Sequence, residues 1–134
     1  MKSRIPRLLL ATSAAIFAFG AAMHAIAYVA KAQRSISGSN LPRFLVSELK
    51  VLWLSDSTTL MALALAFGLI AAKPASASKA MIMLLAIVPA AITVLLYAFL
   101  GPFYPGHMLL AASAMVFVAG ILMPASLSAK EFVD

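Results

Sequence analysis

The chain has 134 residues, of which 64% are hydrophobic and 10% are charged, and its mean hydropathy is +1.06. A soluble domain usually has about a quarter of its residues charged, so this chain cannot cover its own surface in water. We therefore predict a single integral membrane domain over residues 1–134, with the lipid bilayer as its solvent. The absence of cysteine excludes disulfides, thiolate metal ligands and cysteine nucleophiles. Nucleic-acid binding is not expected despite the net charge of +6, because the basic residues lie at the edges of apolar segments, where they set membrane topology.

Four apolar segments are each long enough for a membrane-spanning helix, which needs about 20 residues. They cover approximately residues 8–30, 51–71, 80–100 and 104–123. The first segment also has the basic start and the Ala25-Ile26-Ala27 motif of a secretory signal peptide. A signal peptide has an apolar region of only about 7–15 residues, so we expect a retained helix, with cleavage as the alternative.

The chain between the first two spans is polar and then amphipathic. Residues 31–40 are rich in Ser, Gly and Asn and predict a loop. Pro42 suits the first turn of a helix, where its missing N–H is not needed. Over residues 41–50, apolar side chains share one side while Arg43 and Lys50 share the other. This pattern predicts a short interfacial amphipathic helix before the second span.

The last two spans form a predicted hairpin. Pro89 lies near the middle of the third span, where neighbouring helices can tolerate the kink that proline introduces. An uncharged turn of Gly and Pro leads into the fourth span, which stops at Pro124 and is followed by a polar tail. Positive residues near the span ends favour cytoplasmic N- and C-termini. The sequence thus predicts an all-α bundle of four transmembrane helices, in what we expect to be a bacterial inner membrane.

The most informative residue is Asp56, near the outer end of the second span. A carboxylate inside a membrane helix is costly, and it usually faces a bundle interior or a cavity and has a function. Asp56 lies about 5 residues from the outer end of its span and His24 about 6 from the outer end of the first, or roughly 8 and 9 Å deep. Because the two helices run in opposite directions, we expect Asp56 and His24 to be adjacent. They are a candidate proton-transfer pair, and the alternative is an ion pair that only fixes helix register.

Polar side chains from the other spans lie near the same outer end and predict an outward-facing polar pocket. Thr93 and Tyr97 are four residues apart, hence on one face of the third span, and His107 opens the fourth. The candidate ligand-binding residues are Glu48, Trp53, Asp56, Thr59, Thr93 and Tyr97. Structural alternatives stay open, because aromatic residues suit the membrane interface and hydroxyls bond backbone carbonyls.

The ligand of such a pocket is not decided by the sequence. His24, Asp56 and His107 form a candidate metal site of the two-histidine, one-carboxylate type, and His24 with His107 could ligate haem. The other candidate ligand is a lipid-soluble molecule such as a quinone, an isoprenoid or a sterol-like compound. Asp56 and His24 would then transfer a proton at its polar end.

Three classes of function follow from these observations. The first is a membrane protein that binds a metal, haem or lipid-soluble molecule, and whether it is an enzyme is left open. The second is a non-catalytic accessory or assembly subunit of a larger membrane complex, or a homo-oligomer. The third, a small transporter, is disfavoured by the lack of a repeat and of a polar path through the inner half. The chain has no phosphate-binding glycine loop, so nucleotide-driven chemistry is not expected. It also lacks the H-E-x-x-H motif of zinc peptidases and the G-x-S-x-G motif of α/β-hydrolases, so neither activity is expected.

Overall fold

The computed structural model describes residues 4–123, which are helical apart from short turns and contain no strand. The helices are α1 (Arg4–Ala27), α2 (Gln33–Ser37), α3 (Arg43–Ala72), α4 (Lys79–Leu100) and α5 (Tyr104–Leu122). A π-helical turn, Tyr28–Ala32, joins α1 to α2, and a 3₁₀ turn, Pro74–Ser76, precedes α4. Four helical stretches in this part of the chain are long and apolar enough to cross a membrane: α1 continued through α2, then α3, α4 and α5. The prediction of an all-α protein with four such helices is confirmed.

The first helix is longer than predicted. The predicted loop over residues 31–40 is wrong for most of its length, because the π-helical turn and α2 carry the helix on to Ser37. The polar residues of this stretch are compatible with a helix, and it contains no proline or glycine before Gly38, where the helix ends. Polarity indicated a loop here, but polarity alone does not break a helix.

The predicted separate interfacial helix over residues 41–50 is also wrong. After Pro42, α3 begins at Arg43 and continues unbroken to Ala72. No proline or glycine separates the amphipathic stretch from the apolar one, so both form a single helix of 30 residues.

The α4–α5 hairpin follows the predicted boundaries. The Ser78 hydroxyl caps α4 by accepting a hydrogen bond from the N–H of Met81 at 3.2 Å, and the helix runs through Pro89. It ends at Gly101, whose φ of 74° and ψ of −179° are accessible to glycine and strained for other residues. The predicted stop at Pro124 and the polar tail lie outside the described residues.

Helix α1 is central in the packing, with α3 on one side and α5 on the other, while α4 packs against α5. Between α1 and α3, the fully buried rings of Phe17 and Phe67 have centroids 5.7 Å apart. The buried hydroxyl of Ser13 shares its hydrogen between the carbonyl oxygen of Leu9 on its own helix, at 2.9 Å, and that of Ala112 on α5, at 3.1 Å. The hydroxyl of Ser113, also buried, donates to a carbonyl oxygen of α4 at 3.1 Å. Bonds between hydroxyls and carbonyls therefore join α5 to both of its neighbours.

Contacts at both ends of the molecule fix the helix directions. Arg7 of α1 contacts Ala71 at the end of α3, and His24 near the end of α1 contacts Ser57 of α3, so these helices are antiparallel. Contacts between opposite ends give the same result for α4 and α5. The segment 73–78 between α3 and α4 is too short to run back along the molecule, so α4 starts at the end where α3 stops. The long helices therefore alternate in direction. We refer to the two ends of the molecule as the Arg7 end and the His24 end.

The α1–α3 pair extends beyond the α4–α5 pair at the His24 end. Ser13 of α1 and Ala112 of α5 are in contact and therefore lie at the same height along the helix axes, that is, they are level. Tyr104 starts α5 eight residues before Ala112, and α5 runs antiparallel to α1, so Tyr104 is level with about residue 21 of α1. Residues 22–37 and the facing residues 43–59 therefore extend about 24 Å beyond the α4–α5 hairpin, at 1.5 Å per residue. These two ranges are named the projecting hairpin below.

Candidate functional site

The imidazole of His24 is held by one face of α3. Its Nδ1 lies 2.9 Å from the Ser57 hydroxyl oxygen, and its Nε2 lies 3.6 Å from the Asp56 carboxylate. The ring is stacked on the Trp53 indole, with centroids 4.7 Å apart and 17° between the planes. The indole N–H of Trp53 donates to the backbone carbonyl oxygen of His24 at 3.1 Å. These four residues are named the His24 cluster.

The predicted adjacency of His24 and Asp56 is confirmed by this contact, while its functional role stays a prediction. Opposite helix directions and equal depth were enough to predict the pairing. The hydrogen bond of the imidazole goes to Ser57, however, and Asp56 stands slightly farther away. Asp56 contributes an ion-pair contact when the imidazole is protonated.

The α3 residues of the cluster follow from helical spacing. Trp53, Asp56 and Ser57 occupy positions i, i+3 and i+4, which share one helix face. At the start of the π-helical turn that follows α1, Tyr28 lies four residues after His24, is buried, and has its ring centroid 6.5 Å from that of Trp53. Tyr28 and Ser57 were not among the predicted site residues. Their spacing from His24 and Trp53 was the signal that could have identified them.

The cluster is largely satisfied by its own hydrogen bonds. Both nitrogens of His24 face a partner, and within residues 4–123 no buried side-chain nitrogen or oxygen lacks a hydrogen bond. The side chains of His24 and Asp56 are 29% and 37% exposed. The Asp56 carboxylate is therefore the group of this cluster with spare capacity to accept hydrogen bonds. Chemically, the arrangement can hold a charged pair or pass a proton between imidazole and carboxylate.

The remaining candidate ligand-binding residues lie apart from the His24 cluster or bond their own helix. The hydroxyl of Thr93, which is buried, donates to the Pro89 carbonyl oxygen of the same helix at 2.8 Å. The hydroxyl of Thr59 likewise bonds a carbonyl of its own helix, and Glu48 is exposed near the start of α3. The Tyr97 hydroxyl lies 2.6 Å from Nδ1 of His107, so these two form a separate pair on the α4–α5 hairpin.

The predicted metal site of His24, Asp56 and His107 is not assembled. The described part of the chain contains no group of three or more His, Cys, Asp or Glu residues close enough to hold a metal ion. His107 is level with about residue 18 of α1, six residues before His24, which is roughly 9 Å along the helix. The prediction assumed that all four spans end at one level. The greater length of the α1–α3 pair separates the two histidines, and the haem site predicted from the same pair loses its basis as well.

No protein family matches the chain, and no match was found among curated proteins or solved structures. Likeness to other proteins therefore carries no functional information here. The function has to be argued from the residues of this chain.

Proposed function

We propose that this protein is a membrane-embedded accessory subunit whose projecting hairpin binds another integral membrane protein. The observation that carries the proposal is the apolar surface of that hairpin. Its most exposed large apolar side chains, each 59–75% exposed, are Ile26, Val29, Phe44, Val51 and Leu52.

The lengths of the helices make this surface significant. With 22 and 19 residues, α4 and α5 are about 33 and 28 Å long, close to the roughly 30 Å hydrocarbon core of a bilayer. When this pair lies in a bilayer, the projecting hairpin extends beyond the hydrocarbon. Tilting does not bring it back, because α1 and α5 are packed together and tilt as one unit. Its apolar side chains then need a cover other than lipid, and another protein is the natural cover.

The charge around this surface indicates the kind of partner. The projecting hairpin carries four basic residues, Lys31, Arg34, Arg43 and Lys50. Its acidic residues are Glu48 and Asp56. Protein interfaces combine apolar side chains with polar and charged ones. The positive balance of the charged residues on the projecting hairpin favours a partner with an acidic surface next to its own membrane spans.

The His24 cluster has a role in this proposal as a positioning element. It joins α1 to α3 at the base of the projecting hairpin, just past the last turn supported by α5. Because its buried polar atoms are all hydrogen-bonded and the Asp56 carboxylate is partly exposed, it needs no ligand to account for its polar residues.

Site-specific crosslinking tests the proposal. A photo-reactive amino acid replaces Phe44 on the projecting hairpin and, in a matched variant, Phe99, which is 83% exposed on α4. In native membranes we expect position 44 to crosslink to one protein of defined mass and position 99 to crosslink to none. The substitution Phe44→Ser, but not Phe99→Ser, should release that protein from the affinity-purified complex.

Two results would overturn the proposal. Crosslinks from position 44 only to a second copy of this chain would make the surface a homo-oligomer interface. The absence of protein crosslinks at both positions, with a monodisperse monomer in detergent, would mean that the hairpin contacts lipid alone.

A lipid-soluble ligand at Asp56 is the second candidate, favoured by the spare hydrogen-bonding capacity of its carboxylate. Native mass spectrometry of the protein extracted in mild detergent would reveal a retained small molecule. Its loss in Asp56→Asn, but not in Glu48→Gln, would favour this candidate. Identical spectra for all three proteins would eliminate it.

We also propose that the Arg7 end faces the cytoplasm of a bacterial inner membrane. The support comes from the positions of the basic residues in the sequence, because positive charge near the span ends favours the cytoplasmic side. Six basic residues flank the spans on the side of Arg7, namely Lys2, Arg4, Arg7, Lys73, Lys79 and Lys130, against four on the other side. The chain has no cysteine, so single-cysteine variants report the orientation directly. In spheroplasts, a membrane-impermeant thiol reagent should label Asn40→Cys and leave Ala75→Cys unlabelled. The reverse labelling pattern would refute this orientation.

A further inference from the structure

We infer that the groove between α1 and α3 at the Arg7 end binds a phospholipid with an anionic headgroup. The inference rests on the proposed membrane insertion but is independent of any partner of the projecting hairpin. It concerns a part of the molecule that the sequence-based site did not include.

The groove has a charged mouth and an apolar floor. It is open along its length and has a volume of about 480 Å³, which is in the range of ligand sites. Arg4 and Arg7 line it at the end of the molecule, and Leu8, Ala11 and Gly68 line it farther in. From Arg4 to Ala11 the groove is about 10 Å long at the helical rise. A phosphate at the mouth would thus lie beside an apolar track for the first part of an acyl chain.

Arg7 is held in a position that suits a phosphate. Its Nε and Nη2 donate to the carbonyl oxygens of Ala71 and Ala72, at 2.9 and 3.5 Å. These carbonyls lie at the negative end of α3 and would otherwise repel an anion. A guanidinium has five N–H groups, so the Arg7 side chain keeps donors for a phosphate while its position is fixed. Arg4, three residues earlier on the same face of α1, is exposed and adds a second charge.

The charge distribution favours an anion at this end. Arg4, Arg7, Lys73 and Lys79 all lie at the Arg7 end, and the acidic residues of the described chain, Glu48 and Asp56, both lie toward the other end. Basic pockets between membrane helices are a known form of anionic lipid recognition.

The shape of the floor favours a lipid over free phosphate. Ala11 and Gly68 have small side chains or none, so the surface between the helices is concave there, and Leu8 is largely exposed beside it. A soluble phosphate would leave this apolar surface unused, whereas an acyl chain covers it. The site therefore takes a diacyl phospholipid with a net negative headgroup.

Lipid titration of the purified full-length protein tests the inference. Native mass spectrometry in mild detergent compares phosphatidylglycerol, phosphatidylcholine with the same acyl chains, and glycerol phosphate, which lacks chains. Since each arginine near an anionic surface contributes roughly a fivefold factor, phosphatidylglycerol should bind about 30-fold more tightly than phosphatidylcholine. Glycerol phosphate should bind far more weakly than either lipid.

Variants separate the two parts of the site. Arg4→Gln should weaken phosphatidylglycerol binding about fivefold without disturbing the fold, because the Arg4 side chain is exposed. Arg43→Gln at the other end of the molecule should have no effect. Ala11→Leu fills the floor and should weaken both phospholipids, whereas Ala91→Leu on the exposed face of α4 should weaken neither. The helical circular dichroism signal checks the fold of each variant.

Several outcomes would overturn the inference. Equal binding of the two phospholipids, equal binding of glycerol phosphate and phosphatidylglycerol, or unchanged binding in Arg4→Gln would each contradict it. If position 44 crosslinks to no partner protein while phosphatidylglycerol is still preferred over phosphatidylcholine, the proposed function is refuted and the lipid site is not. Recovery of the protein without detergent would refute membrane insertion and this site together.

Discussion

Replacing His24 by alanine should weaken the contact between α1 and α3 more than Ser57→Ala or Asp56→Asn does. The variant loses the hydrogen bond to Ser57 at 2.9 Å and the ring stack on Trp53 at 4.7 Å. Hydrogen bonds between membrane helices contribute about 0.6 kcal/mol on average and at most about 1.7. Aromatic stacking adds about 0.5–1.5 kcal/mol. The bond from the Trp53 indole is retained, because its acceptor is the backbone carbonyl of residue 24. The expected loss is therefore about 1–3 kcal/mol.

Two further substitutions compare how much the Ser57 hydrogen bond and the Asp56 contact contribute to the free energy of unfolding. Ser57→Ala removes only the hydrogen bond and should lower the free energy of unfolding by about 0.6 kcal/mol. Asp56→Asn alters a contact of 3.6 Å between groups that are about one-third exposed, and pairs of that kind contribute about 0–1 kcal/mol. Thr59→Ala is the matched control, since its hydroxyl bonds only its own helix. The free energies come from reversible unfolding of the purified protein in mixed micelles, followed by circular dichroism.

The ranking itself is the test of the reasoning. A double-mutant cycle of His24→Ala with Ser57→Ala should give a coupling energy equal to the lost hydrogen bond. A loss in Asp56→Asn as large as in His24→Ala would mean that the ion pair, and not the stack and the Ser57 bond, holds the helices together. An unchanged stability of His24→Ala would refute the structural role of the cluster and favour a ligand site.

Three other substitutions have defined expectations in the same unfolding assay. In Gly106→Ala the new Cβ would lie 2.6 Å from the ring of Tyr97, which is too close for an ordinary contact. In the control Gly20→Ala, the new Cβ makes an ordinary contact at 3.7 Å. The free energy of unfolding of Gly106→Ala should therefore be about 1–3 kcal/mol lower than that of Gly20→Ala. Equal stabilities of these two would contradict the packing of α4 on α5. Gly101→Ala should cost about 1–3 kcal/mol from backbone strain alone, because its φ is +74° and the new Cβ would meet no other part of residues 4–123 within 4 Å. A neutral result would be inconsistent with that conformation. Ser13→Ala should cost at most about 0.6 kcal/mol, because the hydroxyl shares its one hydrogen between Leu9 on α1 and Ala112 on α5. No change in stability would show that the bond to α5 adds nothing.

The sequence predicts the helices of this fold well where chain breakers mark their ends. The boundaries of α4 and α5 agree with prediction because Ser78 caps one end and Gly101 terminates the hairpin turn. The end of the first helix and the continuity of α3 past residue 50 were missed because polar and amphipathic residues were interpreted as boundaries. Residues 31–37 and 43–50 contain no proline or glycine, and a helix in progress continues through polar residues at little cost.

The candidate site was predictable only in part, for a reason that lies in the packing. Adjacency of His24 and Asp56 depends on two helices consecutive in the chain, whose relative depth follows from counting residues from their connection. Bringing His107 to the same place depends on the level of α5 against α1, and the chain between them contains two further helices. That level is set by buried contacts such as Ser13 with Ala112, which no periodicity in the sequence reveals.

The unequal lengths of the two hairpins explain why polar residues concentrate at the His24 end. Through most of its length α1 is packed between α3 and α5, and apolar side chains with a few hydroxyls suffice to hold it. Beyond about residue 21 the support of α5 ends, and the α1–α3 contact has to be maintained by these two helices alone. Stacking of His24 on Trp53 and the hydrogen bonds at Ser57 and at the His24 carbonyl lie at this point. The same loss of a neighbouring helix exposes the apolar side chains of the projecting hairpin. One geometric cause therefore accounts for both the polar cluster and the surface that we propose binds a partner.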